Sequence, residues 1–244
     1  MIIEGLSEEE LKCEDYYLAY FDILGTKKSL IKNEKETFSK LWLVNNFIKK
    51  HSKNIVVRSF SDNYLFAIRI DEGKQIESLN ILLNVVGGFA VSCLSLYELL
   101  VRGAITKGKL HIDSNVVLGE ALIRAYELES RVAIYPRVVI DGGILNLDVE
   151  NMTIRDFAKP FFKDFDSSLC VNSLFFFDDK IRDAMKGRLA NNLINSAIMA
   201  YENADQKSIS KVEWTKNYVN DFFVQHTGQK LIIFDENAFK LLKK

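Results

Sequence analysis

Proline is nearly absent from this chain: Pro136 and Pro160 are the only two in 244 residues. No Pro-rich linker therefore divides it, and no internal repeat or low-complexity tract does so either. Cysteine is scarce as well. Cys13, Cys93 and Cys170 are odd in number and far apart, which fits structural thiols of a reducing cytoplasm and makes no zinc pattern. The three histidines, His51, His111 and His226, are too scattered to supply one. No secretory signal is recognisable, and a cytoplasmic location is expected. Excess charge is lacking too: 32 basic against 33 acidic residues leave a formal net charge of -1. That excludes a general nucleic-acid coat protein, and no stable nucleic-acid binding is expected.

One stretch, Ser78 to Tyr97, lacks charge altogether and is long enough to cross a bilayer. It also holds Asn80, Asn84, Gly87, Gly88, Ser92 and Ser95, and its flanks carry no aromatic belt or strongly basic loop. A helix buried against a sheet explains it better than a membrane span. Gly87-Gly88 then marks close packing or a break, since glycine in mid-helix costs about 1 kcal/mol relative to alanine.

With 48% hydrophobic and 27% charged residues, the composition suits an ordinary globular core. Residues 1–14 are polar and acidic and read as a loose lead-in. Apolar and aromatic runs predict strands at Tyr16–Leu24, Ile55–Ser61, Tyr64–Ile70, Val101–Leu110 and Tyr135–Ile140. The short connection at Asp62-Asn63 is a hairpin signal. Helical patterns fill Thr26–Lys50 with a break, Lys74–Leu100 and Gly119–Arg131. The order βα-ββ-αβ, followed by another αβ pair, predicts an α+β fold: a ferredoxin-like palm over residues 15–145, an antiparallel sheet with helices on one face. Residues 146–244 read as a mostly helical extension packed on the palm. It would carry a small hairpin over Phe161–Phe177 around Asp164 and Asp166, helices at Asp178–Asn203 and Ser208–His226, and a short strand at Leu231–Phe234. Trp214 reads as a packing anchor, Asp164 and Asp166 as loop-tip residues.

Two aspartates carry the chemical interest. Asp22 ends the run Tyr17-Leu18-Ala19-Tyr20-Phe21, and Asp62 follows Val56-Val57-Arg58-Ser59-Phe60-Ser61. A carboxylate at the end of an apolar strand is costly to bury unless it is paired or binds a cation. Two on adjacent strands repel unless a divalent metal sits between them. Each also has an ordinary reading: Asp22 as the cap of the following helix, Asp62 as a hairpin-turn residue. Gly25-Thr26 ahead of a helix offers backbone N–H groups to phosphate, with Lys27 and Lys28 adding positive charge.

Four segments together resemble the catalytic domain of class III nucleotidyl cyclases, over roughly residues 16–140. They are Phe21-Asp22-Ile23-Leu24-Gly25, Ser61-Asp62, Arg102-Gly103-Ala104-Ile105-Thr106-Lys107-Gly108, and the helix frame from Gly119 through Glu129. The resemblance implies a palm enzyme, a nucleotidyl cyclase or small palm polymerase, acting on ATP or GTP with Mg²⁺ or Mn²⁺. It implies metal ligands at Asp22, Asp62 and the Ile23 carbonyl, and a site formed between the subunits of a homodimer. Gly25, Thr26, Lys27, Arg58, Arg102, Lys107 and Arg124 are the expected nucleotide-binding residues. Arg58 lies at the offset of the base-selecting lysine, whose partner position falls on Val116. Some relatives make nucleotide signals in anti-phage defence. The chain departs from the family where Ile123 and Glu127 replace the asparagine and arginine that stabilise the transition state. Positive charge must then come from Arg124, Lys107 and Lys109, or the chain is a non-catalytic nucleotide-binding or partner-binding module. For Glu120, Arg124, Glu127 and Arg131, a solvated salt-bridged face is an equal reading.

Overall fold

The computed structural model describes residues 12–145, 149–176, 179–203 and 205–232. Its sheet is built on β1 (Glu14–Ile23), with β3 (Asn63–Arg69) and β2 (Val56–Phe60) on one side and β4 (Val101–Ile112) on the other. These four pair antiparallel throughout. Helices α1 (Thr26–Lys32) and α2 (Glu34–His51) join β1 to β2, and α3 (Gln75–Tyr97) joins β3 to β4. The order β2-β3-β1-β4 with these connections is the ferredoxin-like palm the sequence predicts. A two-residue strand, β5 (Val117–Leu118), folds back on β4, and α4 (Glu120–Arg131) crosses over to β6 (Val138–Ile140), which lies parallel to β4.

Strict alternation along β1 sorts its side chains. Tyr17, Ala19, Phe21 and Ile23 enter the main core with α2 and α3, while Tyr16 and Leu18 pack with Ala121 and Ala125 of α4. Helices therefore cover both faces of the sheet, not one as the sequence pattern implied. The small stripe Ala121-Ala125 lets α4 lie close on the second face. At the centre of the main core Phe89 meets the rings of Phe21 and Phe66, both at 5.0 Å.

α3 is long and apolar enough to span a membrane, yet 67% of its most apolar window is buried within the fold. It runs unbroken through Gly87. A Cβ there would lie 2.3 Å from the Phe176 ring, so close packing, not a break, accounts for that glycine.

Residues beyond β6 complete the same sheet. β8 (Leu169–Val171) pairs with β6, and β7 (Phe161–Lys163) pairs with β8. The hairpin is shorter than expected: its strands end at Val171 and a 3₁₀ turn occupies Ser173–Phe176. The Asn172 amide causes this by donating to the Phe157 and Lys159 carbonyls, both at 2.9 Å, outside any ladder. Phe177 lies outside the described residues. α5 (Asp179–Glu202) and α6 (Gln206–Thr227) form a second core with Val91 and Leu94 of α3, Val139 and Phe162. Leu231 and Ile232 form no strand; the Ile232 backbone bonds the Asn220 side chain on α6 instead. The rest of the expected Leu231–Phe234 strand lies outside the described residues, as do residues 1–11 of the lead-in. Within the lead-in, Glu14 already belongs to β1.

Asp164 is not a loop-tip residue. It is buried, and it accepts from Arg137 at 2.7 Å, Arg155 at 3.0 Å and the Trp214 indole at 2.9 Å. Arg137 also bonds Asp166, and Trp214 stacks with Tyr135 and Tyr218, an anchor as expected. β6 starts at Val138, later than the expected Tyr135, because the chain turns at Pro136, where Arg137 N–H donates to the Tyr135 carbonyl at 2.8 Å.

Candidate functional site

The ends of β1, β3 and β4 meet at one edge of the palm. Asp22 lies opposite Asn63 on β3 and opposite Arg102 on β4. The β2–β3 turn is Ser61-Asp62, with Ser61 in the left-handed region at φ 57°, and Asn63 already belongs to β3. Asp62 stands one residue before the partner of Asp22, and its carbonyl accepts from Ile23 N–H at 3.0 Å. Polar links on the α4 side fix this corner. The Tyr20 hydroxyl donates to Asn63 Oδ1 at 2.6 Å, and Asn63 Nδ2 donates to Asp62 Oδ1 at 3.3 Å. Asp22 is no helix cap, because Gly25 occupies the N-cap of α1.

Arg102 joins two acids through one nitrogen. Its Nε lies 3.1 Å from Asp22 Oδ2 and 2.6 Å from Glu129 Oε1. Glu129 is only 3% exposed. It continues the buried stripe Ala121-Ala125 of α4 by one more turn, which aims a carboxylate at the strand ends. Burial pushes its carboxyl up to about 7 against the pull of Arg102. Burial also raises Asp22, opposed by the Arg102 hydrogen bond and assisted by the charge of Asp62. Tyr20 is pushed up to about 12, by burial first and then by Glu129. From α6 comes Lys211, whose ammonium is destabilised by burial and by Arg102 and favoured by Asp22.

The structure thus brings together Asp22, Asp62 and Arg102 from the expected set, with the Ile23 carbonyl beside them. Others lie elsewhere or are committed. Thr26 is buried and its hydroxyl donates to the Ile23 carbonyl at 2.9 Å, so it is not presented to a phosphate. Gly25 and Lys27 are exposed on the turn into α1, a helix of one to two turns. Arg58 donates to the carbonyls of Val57 at 2.9 Å and Asp113, beyond the far end of β4, at 2.6 Å. Lys107 pairs with Tyr17 on the α3 face, its ammonium 6.0 Å from that ring, so it stands on the side of the sheet away from Asp22. Lys109 pairs with Asp15 at 2.9 Å, at the start of β1. Arg124 grips Asp141 with both ends of its fork, at 3.0 and 3.2 Å. Ile123 is 64% exposed.

Sequence reasoning passed over Glu129, Lys211, Tyr20 and Asn63. Two of them had a local signal: Tyr20 shares the parity of Asp22 in the strand, and Glu129 sits at the i, i+4 spacing of Ala121 and Ala125. Among the described residues no three Asp, Glu, His or Cys side chains gather in metal-binding geometry. A cation here would rest on two carboxylates and a backbone carbonyl.

No protein-family profile and no curated protein matches the chain. Several solved structures do. The adenylyl cyclase CyaB from P. aeruginosa is 13% identical, with a TM-score of 0.45 over 66% of this chain and 93% of that one. The catalytic core of a rhodopsin-guanylyl cyclase with converted specificity, in complex with ATPαS, is 14% identical, with a TM-score of 0.39 over 54% and 79%. A class III adenylyl cyclase-like ATP-binding protein from Pseudomonas aeruginosa is 12% identical, with a TM-score of 0.40 over 55% and 34%.

Proposed function

We propose that this chain is a cytoplasmic nucleotidyl cyclase or small palm polymerase that acts on ATP or GTP with Mg²⁺ or Mn²⁺ and makes a nucleotide signal, with anti-phage defence as its setting. The observation that carries this is the convergence of Asp22 and Asp62 at one strand-end corner, tied together by the Ile23–Asp62 backbone bond. The donor set fits a hard divalent cation. It offers two carboxylates and the Ile23 carbonyl, all oxygen. Arg102 takes one oxygen of Asp22 and leaves Oδ1 for a cation. The charge of Asp62 already works against ionised Asp22, a repulsion that a cation relieves. When bound, the metal supplies activation of the 3′-hydroxyl and neutralisation of phosphate charge.

The protein's own residues set the geometry. Arg102 orients Asp22, and Asn63, itself held by Tyr20, orients Asp62. Glu129 holds Arg102 from below and keeps part of its charge away from Asp22. The outer side of α4 is a candidate face for a second copy, because Ile123 and Tyr126, one turn apart, are 64% and 57% exposed. A homodimer with sites near this surface is the assembly we propose. A specific observation favours a second reading, a nucleotide-binding module without turnover: α4 presents Ile123 and Glu127 where the cyclase family has its asparagine and arginine, and Arg124 is committed to Asp141.

Incubating the pure protein with each nucleoside triphosphate and Mg²⁺ or Mn²⁺, and resolving products by mass spectrometry, separates the two. Turnover lost in Asp62→Asn at equal folded concentration supports the catalytic reading. Asparagine is as good a turn residue as aspartate, so a turn-only role tolerates the change. Equal rates remove Asp62 from the site, and binding without product in wild type supports the module.

A further inference from the structure

With Lys107 on the other face and Arg124 and Lys109 each engaged by an aspartate, these three cations do not reach the corner. α6 brings another. Three contacts locate its first turns. Asp205, which caps α6, pairs with Lys28 of α1 at 2.5 Å. Val212 lies in a small core against which Leu100 packs, and the Leu100 carbonyl accepts from Leu24 N–H at 2.8 Å, two residues past Asp22. Trp214 stacks on Tyr135 at the approach to β6. Lys211, beside Val212, is thereby held over the start of β4, where the charges of Asp22, Glu129 and Arg102 all act on it.

Lys211 is half-buried, and among the described residues its ammonium makes no ion pair. A lysine in that state has lost hydration without gaining a fixed partner, and its donors remain available to an anion. Arg102 faces both acids through its Nε. We infer that Lys211 is a substrate-binding residue that grips the polyphosphate of the nucleotide, so that α6 supplies the cation missing from Ile123 and Glu127 of α4; this rests on the nucleoside-triphosphate reading of the site. Helix α6 is then part of the active site, and the Lys28–Asp205 pair sets how far it stands from the turn at Gly25.

The test uses the full chain and measures binding of inorganic tripolyphosphate and of a non-hydrolysable ATP analogue with Mg²⁺, and of Mn²⁺ alone. Lys211→Met is expected to weaken tripolyphosphate and the analogue by about tenfold or more, a loss on the scale of one charge-assisted contact. Lys211→Arg is expected to recover most of it. Mn²⁺ alone is expected to bind as in wild type or slightly tighter. If Lys211→Met binds both polyphosphates as wild type does, Lys211 is only a counter-ion of the acids and the inference is overturned. Wild type binding neither polyphosphate overturns the functional reading itself, a separate result. Melting curves check the fold of each variant. Should the Met variant not fold, Lys211→Gln repeats the contrast with Lys211→Arg by removing the charge and keeping a polar end.

Discussion

At the scale of single residues, Glu129 makes the sharpest demand on pH. Its carboxyl keeps a proton in the fold up to about 7, against a free value of 4.5. A group whose folded value is raised stabilises the fold fully below its unfolded value, and that stability is lost as pH rises through the folded value. Asp22, also raised by burial, acts in the same direction. The melting temperature of wild type is therefore expected to fall between pH 5 and pH 8, and Glu129→Gln to lose less over the same interval. A Gln variant with the same slope as wild type would show that Glu129 is not the titrating group. Gly103 is a purely steric case. A Cβ there would stand 2.5 Å from the Tyr20 carbonyl oxygen and 2.8 Å from the Phe21 ring. Backbone of the central strand has little room to move, so Gly103→Ala is expected to cost about 2 kcal/mol in a urea titration.

At the scale of elements, the β7–β8 hairpin is fastened by charge as well as by pairing. Asp164 is the buried carboxylate between Arg137 and Arg155; burial works against its charge, but Arg155, the Phe165 backbone N–H and the Trp214 indole together hold it below its usual range. Asp164→Asn leaves Arg137 only Asp166 and Arg155 only Asp221 as acid partners, both partly exposed, and is expected to cost about 3 kcal/mol. Asp166→Asn, at the exposed end of the same loop, is expected to cost much less; equal losses would mean that the burial of Asp164 is not what matters. The contrast between these neighbours also marks how far the sequence could be read. Alternation along Tyr16–Ile23 and the hairpin signal at Asp62-Asn63 are local patterns, and they predicted these strands and put Asp22 and Asp62 at neighbouring strand ends, whereas Arg102 was expected beside them only through the family resemblance. The turn slipped by one residue because Asn63 suits a turn by type but is held in the ladder by Tyr20. Burial of Asp164 depends on arginines brought from the turn before β6 and from the segment before β7, and Lys211 reaches the corner only through the packing of α6. No local period records such meetings. Lys107 was misplaced for a simpler reason: its parity with Ile105, a residue of the main core, already put it on the other face.

At the scale of the whole molecule, the sheet runs without interruption from β2 through β6 to β7, so residues on either side of position 146 share one hydrogen-bonded framework. A single cooperative unfolding transition is expected. The two tryptophans report it independently: Trp42 on α2, largely exposed, and Trp214 on α6, buried. In a Trp42→Phe variant, which leaves the buried Trp214 as sole reporter, tryptophan fluorescence and far-UV circular dichroism should give coincident urea midpoints, whereas an earlier fluorescence midpoint would mean that the hairpin and α5–α6 come apart first. The thiols offer a different use of the same architecture. Cys93 and Cys170 are sealed in the two cores, where burial pushes both well above the ordinary thiol range, and Cys13 alone is exposed. Native protein then reacts once with a thiol reagent and denatured protein three times. A nitroxide attached without mutagenesis would sit at one known place per copy, just ahead of the central strand. The spacing between two such spins is a ruler for how two copies of this chain face each other.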